Sequence, residues 1–108
     1  MALKKNKNKR FRTWAEVKKE RFQRNPDEAI GYLNASFEEN WDEPELIINA
    51  IKSVSEALDI PVEQLAKKAG KTPSTIHKAL SKNGNPTLAT LMIVLKTLGL
   101  KLLVQKAS

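Results

Sequence analysis

Cysteine is absent from this 108-residue chain. That excludes disulfides, thiolate zinc sites and cysteine nucleophiles, and it leaves no sign that an oxidising compartment is needed. The aromatic residues stop early: Phe11, Trp14, Phe22, Tyr32, Phe37 and Trp41 all lie in the first 41 residues. Whatever core the remaining 67 residues build must be aliphatic. Histidine occurs once, as His77, so no histidine cluster can bind metal or serve a relay. No apolar run approaches the roughly 18 residues of a membrane span. The basic start is followed by no apolar stretch, which excludes a secretory signal. A soluble, cytoplasmic chain of one domain is expected at this length.

Acids are missing from a whole segment. Residues 64–108 hold eight lysines and no acid, for a net charge of +8, and the last carboxylate is Glu63. Residues 1–24 also carry +8, from ten cations against Glu16 and Glu20. The middle, residues 25–63, carries −9, with Lys52 its one cation. The total is +7. A long stretch of one sign suits a surface that faces a polyanion; a solvated lysine-rich face is the plainer alternative.

Five prolines and four glycines punctuate the rest. Residues 1–12 are a basic tail expected to be disordered. Thr13-Trp14-Ala15-Glu16 reads as a capping box that opens a helix to Arg24, with Trp14, Val17, Arg21 and Phe22 on one side. Asn25-Pro26 starts a second helix with acids in its first turn and Ile30, Leu33 and Phe37 as its stripe. A third begins near Pro44, after Asp42 or Glu43, and runs to Leu58 on Ile47, Ile48, Ile51, Val54, Ala57 and Leu58. A two-turn helix follows, with Pro61 in its first turn and Gly70 as its stop. Thr72 caps the next, with Pro73 first and Ile76, Ala79 and Leu80 inward. Gly84-Asn85-Pro86 make a turn. Thr87 caps a last helix whose stripe is Leu88, Leu91, Met92, Leu95 and Leu98, ended by Gly99. Leu100 to Gln105 reads as a short strand or a docking apolar tail. The fold class is all-α: a bundle of short helices with a possible C-terminal strand. Residues 13–43 form an N-terminal helical extension, 44–99 the main domain and 100–108 the tail.

Ala66, Gly70 and Ile76 have the spacing of a helix-turn-helix. A small residue lets the second helix approach, glycine takes the left-handed turn, and an aliphatic side chain fills the angle. On these residues the chain resembles the repressor-type (Cro/C1-like) helix-turn-helix family over about residues 44–98. A closer set of motifs runs through Tyr32-Leu33-Asn34-Ala35, Ile47 to Val54, Gln64 to Gly70, Lys78-Ala79-Leu80-Ser81, Gly84-Asn85-Pro86-Thr87 and Leu98-Gly99-Leu100. Over residues 28–105 these look like the HigA-type antidote proteins of addiction modules. The resemblance implies an antitoxin that neutralises a RelE-like toxin and represses its own operon. Two features depart from that pattern: the basic tail with the Trp14/Phe22 helix, and Val62, where many repressor-type domains have a phosphate-bracing glutamine.

In a helix-turn-helix the second helix enters the major groove of double-stranded operator DNA. The outward positions are Lys71, Thr72, Ser74, Thr75, His77, Lys78, Ser81 and Lys82, none of them acidic. Ser74, Thr75 and His77 suit base edges, and Thr75 offers a methyl to thymine. Lys71, Lys78 and Lys82 reach phosphates or guanine, and Gln64 could brace a phosphate from the helix before. An exposed polar helix without a ligand is the plain alternative. His77 is read as groove-facing or solvated.

A partner protein has two candidate surfaces. Trp14, Val17 and Phe22 either close the core or anchor a partner. Leu100, Leu102, Leu103 and Val104 are expected to pair with their symmetry mates in a homodimer; β-addition to a toxin and packing back on the chain are the alternatives. Glu38, Glu39, Asp42, Glu43 and Glu45 straddle a helix end and a helix start, where dipole-favoured caps explain them or a basic partner lands. No nucleophile with a base, metal cluster or glycine-rich phosphate loop is present, so neither an enzyme nor a cofactor is expected. Two other readings stay open: a phage-type repressor without a toxin partner, and a toxin-neutralising module that does not read DNA.

Overall fold

Prolines and capping oxygens set where the helices begin. The computed structural model describes residues 12–81 and 83–107. It contains α1 (Trp14–Arg24), α2 (Pro26–Glu39), α3 (Pro44–Ala57), α4 (Val62–Ala69), α5 (Pro73–Ala79) and α6 (Leu88–Thr97). The basic tail apart from Arg12, together with Lys82, lies outside the described residues. Thr13 and Glu16 form the capping box reciprocally, Glu16 N–H donating to Thr13 Oγ1 at 3.1 Å and Thr13 N–H to Glu16 Oε1 at 2.9 Å. The Thr13 backbone N–H, then its hydroxyl, hold the Glu16 carboxyl below the usual range. Asn25, Thr72 and Thr87 accept from the first turns of α2, α5 and α6 at 3.1–3.2 Å. Pro61 is the N-cap of α4 rather than a residue of its first turn.

The helices group by threes. α1, α2 and α3 pack on one another, and α4 carries both α5 and α6. One continuous core joins the groups, from Phe22 and Leu33 through Ile51, Val54, Leu65 and Ile76 to Val94. Ile51, Val54, Leu65, Ile76 and Val94 are fully enclosed, each contributing about 1.5–3 kcal/mol by burial. Outside the core, the Arg21 guanidinium grips Glu28 at 2.7 Å and ties α1 to α2. Gln23 Nε2 donates to Ala57 O at 3.1 Å and to Asp59 Oδ2 at 3.0 Å, tying α1 to the end of α3. Asp59 holds a left-handed φ of 59° there, a conformation Asp tolerates better than most residues.

Three expectations are corrected. In α2, Ile30 is exposed, and the inward face is Ala29, Leu33 and Ser36. In α6, Leu88 and Met92 are 63% and 55% exposed, while Thr90, Val94 and Leu95 are buried. α6 is apolar nearly all round (LATLMIVLKT), so periodicity could not choose its inward face; packing against α4 does. Of the two readings of residues 100–105, strand or apolar tail, the strand is not formed in the single chain. A strand needs a ladder partner, and the described elements are all helices. Gly99, at φ 80°, turns the chain out of α6, and Leu100 N–H closes back on Leu95 O at 2.8 Å. Leu100 packs against the core; residues 101–107 are exposed.

Candidate nucleic-acid interface

α4 and α5 are two short helices separated by Gly70, Lys71 and Thr72. Gly70 adopts φ 66°, ψ 32°, a left-handed conformation that costs a side-chain-bearing residue roughly 1–2 kcal/mol. That geometry sends Lys71 N–H back to Ala66 O at 2.9 Å. A Cβ at Gly70 would meet nothing within 4 Å, so the backbone angle alone requires glycine. Ala66 is buried where the helices converge, and Ile76 is fully enclosed. Of the three spacing residues, two are therefore buried and the third takes the left-handed turn.

The remaining residues of this region face outward. Gln64, Lys71, Thr72, Ser74, Thr75, His77 and Lys78 are all exposed. Two of the expected contacts have structural duties. Thr72 Oγ1 accepts from Thr75 N–H at 3.2 Å and lies 3.0 Å from Thr75 Oγ1, so the Thr72 hydroxyl is engaged in capping. Ser81 is half-buried, and its hydroxyl donates to Lys78 O at 2.7 Å, closing the end of α5. Ser74, His77, Lys71 and Lys78 have no side-chain hydrogen bond among the described residues. Glu63, in the first turn of α4, is the last carboxylate before this surface.

Gly84 shapes the same region in a way the sequence did not announce. A Cβ there would sit 2.3 Å from Ala79 O and 2.4 Å from Lys78 O. The chain leaving α5 doubles back so closely over its last carbonyls that only glycine fits. Glycine in a Gly-Asn-Pro run signals a turn; the close approach arises from tertiary packing, which local sequence does not display.

The second set of expected contacts is dispersed. Phe22 is buried and stacks obliquely on Tyr32, centroids 5.5 Å apart, so this aromatic closes the core. Val17 is half-buried. Trp14 is 58% exposed beside the Lys18 ammonium, on a shallow groove lined by Arg21, Phe22, Glu28 and Tyr32. In the tail, Leu102 is 42% exposed and Val104 completely so.

A family model described as "Probable addiction module antidote protein" matches residues 16–106, from α1 into the tail. The chain belongs to this addiction-module antidote family. A protein of Haemophilus influenzae, described as an uncharacterized protein, is 41% identical to the antidote over 76 residues, covering 70% of this chain and 74% of its own length. No solved structure matches the antidote. Membership implies a toxin as partner in general terms, and it includes α1 in the family pattern, which the sequence reading had set apart. Among the described residues, no helix of the antidote is long and apolar enough to cross a membrane.

Proposed function

We propose that this antidote is a sequence-specific DNA-binding antitoxin that neutralises a RelE-like toxin and represses its own operon, working as a homodimer. In this reading α4 and α5 are a helix-turn-helix, and α5 lies in the major groove. The observation that carries it is the acid-free outer face of α5. That face is held on a left-handed Gly70 turn with Ile76 fully enclosed behind it. A phosphate-lined groove excludes carboxylates and welcomes lysines. Ser74, Thr75 and His77 supply donors, acceptors and a methyl for base edges, while Lys71 and Lys78 neutralise phosphates. Gln64, Thr72, Ser81 and Lys82 frame the contact, with Thr72 and Ser81 acting through helix-end geometry.

Two-fold operators demand two heads about 34 Å apart. The tail supplies a means of pairing them. Leu102, Leu103 and Val104 are exposed, and an extended segment with unpaired backbone is completed by a symmetry mate. Binding to the antidote's own promoter, measured by fluorescence anisotropy against a scrambled duplex over a salt series, tests the reading. A preference for the promoter with a steep salt slope is expected. Equal affinity for both duplexes would leave a protein that does not regulate its operon.

A further inference from the structure

Residues 38–46, across the end of α2 and the start of α3, carry two exposed apolar side chains among five exposed carboxylates. Trp41 is 72% exposed, and Leu46, in the first turns of α3, is 42% exposed. Glu38, Glu39, Asp42, Glu43 and Glu45 are exposed around them in sequence. Helix capping, the local explanation for these acids, accounts for only part of them. Asp42 and Glu43, just before α3, and Glu45, in its first turn, sit where the dipole favours anions, although the Glu43 side chain makes no capping bond. Glu38 and Glu39 close α2, where the dipole disfavours anions, and that last turn has no basic residue.

No ion pair among the described residues neutralises them either. Among the described residues the ion pairs are Arg12–Glu20, Lys19–Asp59 and Arg21–Glu28, all remote in sequence from this α2–α3 corner. Along α2, Glu28 lies roughly 16 Å from Glu39 at 1.5 Å per residue, about two Debye lengths at physiological salt. Nor do the carboxylates converge as a cation cage: among the described residues no group of three or more acidic or histidine side chains could hold a metal ion. An exposed tryptophan with a charged polar rim has the composition of a protein-binding hot spot.

We propose that Trp41 and Leu46, rimmed by these five carboxylates, are the docking surface for the antidote's toxin, which meets it with a cation-rich face. The proposal rests on the antidote reading and adds where the toxin binds and with what charge. Charge complementarity selects this corner over the other exposed apolar groups. Trp14 has cationic neighbours in Lys18 and Arg21, and the tail follows a segment without acids.

The test uses the full chain labelled with 5-fluorotryptophan and the module's toxin, purified after co-expression with it. Trp14→Phe and Trp41→Phe variants assign the two fluorine resonances. Toxin should shift the Trp41 signal and leave Trp14 in place. Trp41→Ala should weaken toxin affinity about 30-fold or more. Glu39→Lys with Glu43→Lys should weaken it about 10-fold at low salt and less at high salt. Promoter binding and thermal melts should be unchanged in both variants. If the Trp14 signal moves instead, or both variants bind toxin as the native chain does, the surface is overturned while the antidote reading stands. A Trp41 signal that moves with antidote concentration alone would assign the corner to self-association and overturn the proposal. A native chain that binds no toxin would overturn both readings.

Discussion

Thr75, His77 and Lys78 are all exposed on α5, yet they are expected to behave differently. Thr75 Oγ1 lies 3.0 Å from Thr72 Oγ1, a contact that restrains its side chain. Thr75→Ala or His77→Ala should cost about 1–3 kcal/mol on the operator and little on random DNA. Lys78→Ala should weaken both and lower the salt slope by roughly one unit. Anisotropy titrations on the two duplexes separate these outcomes; equal losses for the Thr75 or His77 variants would remove that residue from base readout. Which α5 residues point outward was legible in the sequence, because Ile76, Ala79 and Leu80 mark the inward face. The Thr72 and Ser81 hydroxyls were harder to place, since a cap and a base contact call for the same residue types.

Two glycines on either side of α5 restrict the chain for different reasons. At Gly70 there is space for a side chain but an unfavourable φ; at Gly84 the backbone carbonyls of Lys78 and Ala79 occupy the space. Gly70→Ala should cost about 1–2 kcal/mol. Gly84→Ala should cost more, because its Cβ displaces backbone rather than a mobile side-chain end. Ala66→Leu should cost about 1–3 kcal/mol by overpacking the α4–α5 contact. Thermal melts of the three variants give the order, and a Gly84→Ala protein as stable as Gly70→Ala would contradict the close approach. Five of the six helix starts could be read from prolines and caps, because capping is local chemistry; α4 begins just after Pro61 rather than with it in the first turn. The inward faces of α2 and α6 could not, because tertiary contacts chose Ala29 over Ile30 and Val94 over Met92. Trp41 was visible as one more aromatic, but nothing in the sequence said it would remain outside the core.

The antidote is divided by sign as well as by packing: acids gather in residues 25–63 and vanish after Glu63. In the proposed dimer, two copies pair through the uncharged residues 102–105 of the tail. Deleting residues 100–108 should therefore leave a folded monomer that binds promoter DNA much more weakly, as read by sedimentation and anisotropy. A truncated chain that still sediments as a dimer would move attention to the exposed Leu88 and Met92 on α6.

The confinement of every aromatic ring to the first 41 residues has an optical consequence. Tryptophan fluorescence and near-ultraviolet dichroism originate wholly in α1, α2 and the segments that flank them. The six-helix core unfolds in one step only if its two groups of helices are strongly coupled through Ile51, Val54 and Leu65. If α4, α5 and α6 loosen first, that event is dark to fluorescence and visible only as lost helical ellipticity. Overlaying the two melting curves thus measures how firmly the lysine-rich half is held by the half that glows.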